Sequence, residues 1–215
     1  MDLIIQSIPF VVKGIQITVG YSLLVVLLSL IAGGLLGTVL CYGPAPARWI
    51  VRLYSDIMRG IPVIVVVFTV YYGLTPLGIN LGNFMSAVIA LTVFTTAQVI
   101  DIVRGAIQSV HYGQTEAGKA IGLGFWQRMF YVVFPQALRR FLPPWINNVT
   151  DVVKGSALVS FFGIVDLMLG IQQVIGRVYE PMPLYILGCI LYFAINFSLS
   201  SLSRTLEARY AYIRE

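Results

Sequence analysis

A single histidine, His111, and two cysteines, Cys41 and Cys189, are the only imidazole and thiol groups among 215 residues. His111 stands at the entrance of a polar segment with no metal-ligand cluster around it, which reads as a structural, solvated imidazole. The cysteines fall in or beside apolar runs near opposite ends of the chain, as packing residues do. No Ser/His/Asp or Cys/His arrangement can be assembled from one such histidine. The run Gly113-Gln114-Thr115-Glu116-Ala117-Gly118-Lys119-Ala120 nearly spells a phosphate-binding loop. Ala120 lacks the hydroxyl that binds magnesium there, no strand precedes the run, and Glu116 would repel phosphate. Nucleotide hydrolysis by this chain is excluded on those grounds.

The remaining chemistry lies in polar residues set inside apolar runs. Thr92, Thr95, Gln98 and Asp101 recur at steps of three and drift along one helix face. Asn147, Asp151 and Lys154 share another face, with Ser156 close by. An unpaired charge at the depth expected for Lys154 costs about 2.5–3.5 kcal/mol, and Asp151, one turn away, is placed to neutralise it. Two readings stand side by side. One is a structural ion pair with helix-to-helix hydrogen bonds; the other is a polar surface that meets a zwitterion. Tyr192, Asn196 and Ser200, at steps of four, read as helix contacts.

The elements that must position these residues are membrane spans. Hydrophobic residues make up 58% and charged residues 11% of the chain, against roughly 25% charged in soluble domains. The length accommodates about five spans of roughly 20 residues each. They are expected at Phe10–Leu40, Ile61–Leu74, Phe84–Val103, Trp145–Leu169 and Leu184–Leu202. Eleven of the fourteen Lys and Arg residues fall on alternate connections. Arg48, Arg52 and Arg59 precede the second span. Arg104, Lys119, Arg128, Arg139 and Arg140 lie between the third and fourth, and Arg204, Arg209 and Arg214 close the chain. The second connection, Thr75 to Asn83, is uncharged, and the fourth, about Gln172 to Pro183, has only Arg177 and Glu180. Basic residues stay on the cytoplasmic side, so the N-terminus is expected outside and the C-terminus inside. The net charge of +5 then reflects topology and attraction to the membrane surface rather than nucleic-acid binding.

A cleaved signal peptide is disfavoured, because Gly14 to Ala47 is uncharged and too long for a signal core. Gly33 and Gly37 bring a small-xxx-small spacing that lets another helix approach. Pro62, after Arg59-Gly60, predicts a kink or a helix restart. Both outside connections are too short to hold a solute-capturing domain. The chain reads as one membrane domain over 1–215, with its longest polar region at about 111–142.

Within that region Gln114 to Ile121 is expected to form a short helix with Ala117, Gly118 and Ala120 on one side. Gly122 and Gly124 would permit the turn after it, followed by the apolar Phe125, Trp126, Met129 and Phe130. Such a helix suits a groove on a partner protein, or equally the headgroup layer through Trp126 and Arg128. The order Glu116-Ala117-small, then Gly122, then Val132-x-Phe134-Pro135 resembles the signature loop of bacterial ABC importer permeases. The flanking words resemble their polar amino-acid branch, the histidine/glutamine permease type. These are Arg59-Gly60-Ile61-Pro62, Arg104-Gly105-Ala106-Ile107-Gln108-Ser109-Val110, Gly113-Gln114, Pro135-Gln136-Ala137-Leu138-Arg139 and Lys154-Gly155-Ser156-Ala157-Leu158-Val159-Ser160. The likeness covers nearly the whole chain.

That resemblance implies an all-α, five-span permease of the type I importer fold in the bacterial cytoplasmic (inner) membrane. It implies a second permease subunit, identical or related, two cytosolic ATP-binding subunits and an extracytoplasmic solute-binding protein. Glu116, Ala117, Gly118, Lys119 and Gly122 would then couple to the ATPases. Thr95, Gln98, Asp151, Lys154 and Ser156 would lie along the path of an amino acid. This chain would bind no cofactor, ATP and Mg belonging to the partner. Gly118 stands where relatives usually carry alanine, a change of about 1 kcal/mol in helix propensity. Gly155 stands where many have an acidic or polar residue, which opens the solute to acidic, neutral or modified amino acids, an opine or a sulfur amino acid included. The rivals are an intramembrane enzyme, a passive channel and a membrane scaffold.

Overall fold

The computed structural model describes residues 2–74, 76 and 78–210. Thr75, Arg214 and the Arg209 side chain lie outside the described residues. The elements are α1 (Asp2–Tyr42), α2 (Ala45–Gly60), α3 (Val63–Leu74), α4 (Gly82–Gln108), α5 (Tyr112–Ala120), α6 (Phe125–Arg128), α7 (Phe134–Gly155), α8 (Leu167–Val178) and α9 (Pro181–Tyr210). Three of them, α1, α4 and α9, are long and apolar enough to cross a membrane alone. Two bent pairs raise the number to as many as five if each counts as one span. No strand occurs among the described residues.

The all-α expectation follows from the solvent. Hydrocarbon offers no hydrogen bonds, so backbone groups must be satisfied within a helix. Leu23, Leu27, Ile31 and Leu35 on α1, and Ile186, Ile190, Phe193 and Phe197 on α9, are all exposed. Such surfaces are costly in water and neutral in lipid. The core sits around α4, whose Ala87, Val88, Ala90, Leu91, Ala97, Val99 and Ile100 are buried. On α1, Tyr21, Val25 and Val26 join Ala87, Val88 and Leu91 in one cluster with Val152 and Val159 of the fourth segment. The Tyr21 hydroxyl donates to the Ala87 carbonyl at 2.7 Å.

Gly33 and Gly37 are the contact points that bring α1 onto α4. A Cβ at Gly33 would lie 2.5 Å from the Val99 Cβ, and one at Gly37 would lie 2.7 Å from the Val103 Cβ. The spacing read from the sequence is therefore a helix-helix interface.

The second and fourth segments are broken. Between α2 and α3 the axis turns by 106°. Pro62 supplies no amide proton and forces the preceding Ile61 into an extended conformation, φ −103 and ψ 133. With only 12 residues, α3 reaches about 18 Å and cannot cross alone. The stretch from Arg48 to Arg59, expected as a lead-in, is a helix packed on α1 and α4. Tyr54 donates to the Val93 carbonyl, Ser55 donates to that of Ala97 at 3.3 Å, and Arg59 pairs with Asp101 at 2.7 Å.

The expected fourth span, Trp145–Leu169, is corrected. Its helix starts earlier, at Phe134, tightens into a 3-10 stretch at Ser156–Phe162, and stops at Gly163, φ +74. Asp166 then caps α8, inclined at 49°. Residues 172–178, expected as connection, belong to α8, which packs on the first part of α1 through Val11, Leu167, Ile171 and Val174. Hydropathy registers the apolar residues on both sides of the break but not the break itself.

Gly33→Ala should destabilise the protein by about 1–3 kcal/mol through overpacking on Val99. Gly34→Ala, which meets nothing within 4 Å, should be neutral. Thermal unfolding in detergent checks the pair, and equal melting temperatures would remove this interface from the account.

Candidate functional site

The polar segment between α4 and α7 is built around α5. His111 caps its start, Nδ1 accepting from the Gly113 amide at 3.1 Å, so the lone histidine has a structural use. At its other end Leu123 N donates to Gly118 O at 3.0 Å and Gly122 N to Lys119 O at 2.9 Å. These are the paired bonds of a Schellman ending, which requires a left-handed residue. Gly122 supplies it at φ +83. Gly124, expected to share the turn, has φ −64 and instead starts α6, its amide donating to Gln127 Oε1 at 2.8 Å. One glycine suffices.

The sides of α5 differ from the expected single small-residue face. Gly118 is its one buried residue. A Cβ there would stand 3.1 Å from the Arg128 Cγ and Cδ, so glycine admits the Arg128 stem, whose Nη1 donates to Leu123 O at 2.8 Å. Ala117, Ala120 and Ile121 are exposed, Ile121 by 76%. Glu116 and Lys119 pair at 2.8 Å, both about half exposed. Hydrogen bonds from Lys119 and then Tyr112 hold the Glu116 carboxyl below the usual carboxylate range. A lowered carboxylate value means that the pair persists above the acid range and is lost only as pH falls through that lowered value.

After α6 comes a five-residue π turn, Met129–Val133, leading directly into α7. Wide turns of this kind often mark working positions in helices. Thus α5 is tied through Arg128 and this turn to the helix that carries the second polar group.

On α7, Asp151 and Lys154 pair at 2.8 Å and are 60% and 59% exposed. Asn147 is exposed beside them, and Asn148 faces inward to donate to Gln98 of α4. Thr95 and Ser156 are buried, the Ser156 hydroxyl donating to Val153 O at 2.8 Å. The residues proposed from sequence thus divide into an open ionic face, an α4–α7 bridge at Gln98, and two hydroxyls packed inside. Asp101 is taken by Arg59. It also lines, with Asn147, Pro143, Arg140 and Glu207, a cavity of about 730 Å³ between the ends of α4, α7 and α9.

Sequence reasoning missed Asp166, which is fully buried. Its carboxylate accepts from the Leu169 amide at 2.9 Å and from the Tyr192 hydroxyl at 3.2 Å. Next to it the Leu167 amide donates to Thr18 Oγ1 at 3.1 Å. One junction therefore joins α1, α8 and α9. The signal was present as a lone Asp three residues after Gly163 and directly before Leu-Met-Leu, the form of a helix cap. Among the described residues no group of three metal-ligating side chains occurs.

Residues 26–212 match the family described as binding-protein-dependent transport system inner membrane component. The chain is 35% identical, over 98% of its length and 93% of the relative's, to a probable amino-acid ABC transporter permease protein of Bacillus subtilis (strain 168). It is 31% identical to the glutamine transport system permease protein of Escherichia coli (strain K12), over 94% of each chain. A solved structure, described as an amino acid ABC transporter with histidines, superposes with a TM-score of 0.90 at 29% identity and covers 96% of both chains.

Asp166→Ala removes both a cap, worth about 1 kcal/mol, and the partner of a buried hydroxyl, worth about 1–3 kcal/mol. Tyr192→Phe removes only the second bond together with its donor, so its melting temperature should fall clearly less. Equal losses in a thermal melt would show that the cap contributes nothing.

Proposed function

The chain belongs to the family of binding-protein-dependent transport system inner membrane components, and from that premise we propose that it passes an amino acid inward between α4 and α7, driven through α5. It is a multi-pass permease subunit of an ABC importer, and ATP hydrolysis belongs to a separate subunit. The rest of this reading concerns partners, orientation and residues.

The observation that carries it is α5 itself. It is a short rod with a closed C-terminal turn, held to the body by Arg128 and offering Ala117, Ala120 and Ile121 outward. Small exposed side chains on a rigid helix fit a groove on a partner. In the proposed assembly two permeases, identical or related, each seat α5 in a cytosolic ATP-binding subunit, where ATP and Mg reside. Glu116, Ala117, Gly118, Lys119 and Gly122 form this contact and its support. An extracytoplasmic binding protein delivers the solute. The bundle makes five crossings of the bacterial cytoplasmic membrane, N-terminus outside and C-terminus inside, as the basic residues require.

Solute passage is assigned to the open face of α7. A charge pair on a membrane helix does not face lipid, because each ion there is costly. Asp151 and Lys154, exposed in the single chain, therefore face water or a second subunit. Their opposite charges match the ammonium and carboxylate of a zwitterion. Gln98 holds the face at the right level through Asn148, with Thr95 and Ser156 behind it. Closure of the ATPases draws the two α5 rods together. The π turn passes that displacement to α7, which exposes the ionic face to alternate sides.

Two experiments test the reading. Glu116→Ala, and Gly122→Ala with its strain of about 1–2 kcal/mol at positive φ, should each lower solute-stimulated ATP hydrolysis in the reconstituted importer while helicity is unchanged. A passive channel or scaffold would show no such dependence. An exposed ion pair contributes at most about 1 kcal/mol, so Lys154→Ala should leave the melting temperature nearly unchanged while amino-acid uptake falls. Unchanged uptake affinity and rate would assign the pair to structure alone.

A further inference from the structure

We propose that the cavity between the ends of α1, α2 and α4 and the near flank of α5 holds the phosphate headgroup of an anionic membrane phospholipid. The cavity has a volume of about 1530 Å³ and no acidic residue lines it. Arg48 and Arg52 reach it from α2 and Arg104 from α4. None of their guanidinium groups makes a hydrogen bond or ion pair among the described residues. The other cations there are already engaged: Lys119 with Glu116, Arg128 with Leu123 O and Arg140 with Ser109 O. Three guanidinium groups lining one cavity without a counter-charge repel one another, and an anion bound among them offsets that repulsion.

The surroundings select a lipid over a soluble anion. Tyr42 and Trp49 line the same cavity, and such side chains are enriched where a bilayer meets water. Trp49 is 65% exposed, and Ile50 and Leu53 next to it on α2 are also exposed. Arginines line the site and exposed apolar side chains of α2 adjoin it, which is the polarity of a headgroup followed by acyl chains. Basic pockets between membrane helices recognise anionic headgroups in this way. A free phosphate would gain nothing from those apolar side chains. Of the residues assigned to the ATPase contact only Lys119 lines this cavity; Ala117, Ala120 and Ile121, the outward face of α5, do not.

The inference is independent of which solute the permease carries. Its test uses the complete importer, permease with ATP-binding subunits, stripped of lipid in detergent and titrated with phosphatidylglycerol or phosphatidylcholine. Native mass spectrometry counts the lipids retained, and thermal unfolding reports their effect. Wild type should retain phosphatidylglycerol and be stabilised by it, and phosphatidylcholine should do neither. With about a fivefold gain in affinity per arginine near an anionic surface, R48Q/R52Q/R104Q should bind it on the order of 100-fold more weakly. R48K/R52K/R104K, which keeps the charge, should recover most of the binding. It also serves, with single Arg52→Gln, should the triple glutamine variant fail to assemble. Equal retention of both lipids by wild type overturns the proposal. So does undiminished phosphatidylglycerol binding in the glutamine variants, or equal stabilisation by inorganic phosphate alone.

Discussion

A solvent that cannot hydrogen-bond is the constraint from which this structure follows. Any interruption of a helix at membrane depth frees amides and carbonyls, and water is not there to receive them. The protein interrupts two segments, and side-chain bonds hold the chain at each break. At the α2–α3 break, the preceding turn is tied to α4 by Ser55 on the Ala97 carbonyl and by Arg59 on Asp101. At the Gly163–Asp166 break, the Asp166 carboxylate takes the Leu169 amide, and Thr18 takes that of Leu167.

This explains what could be read from the sequence and what could not. Apolar runs and alternating basic connections gave the helical class, the three long crossings and the place of α5, because lipid burial and charge avoidance act residue by residue. Gly33 and Gly37 were readable because close approach needs only the absence of a side chain. The break after Phe162 was not, since Gly163 lies in an unbroken apolar run and its left-handed conformation leaves no mark on hydropathy. The junction at Asp166 was not readable either, because Tyr192 lies 26 residues after Asp166 and Thr18 lies 149 residues before Leu167.

The candidate site divides along the same line. Spacing put Asp151 one turn from Lys154, and they pair, since helix geometry alone decides such contacts. Spacing equally put Thr95, Gln98 and Asp101 on one face, yet tertiary partners give them three different environments. Thr95 is packed, Gln98 bridges to Asn148, and Asp101 neutralises Arg59. On α5 the three small residues expected on one side separate into Gly118 turned inward and Ala117 with Ala120 turned outward. A nine-residue helix has neighbours on one flank only, and the sequence does not name which.

Charge accounting then bears on the surroundings of α5. Within the bundle Arg59 is matched by Asp101 and Asp56, and on the open face Lys154 is matched by Asp151. On α5 Lys119 is matched by Glu116. Arg48, Arg52 and Arg104 line one cavity without a match, and that cavity touches the first turn of α5 through Tyr112 to Thr115. Under the proposed coupling, α5 would need a fixed point on each flank. Arg128 braces it toward α6, and an anion gathered by the three arginines would brace the flank toward α1 and α2. The bilayer would then supply the counter-charge that the protein omits, and α5 would move against the membrane surface as well as against the protein's own helices.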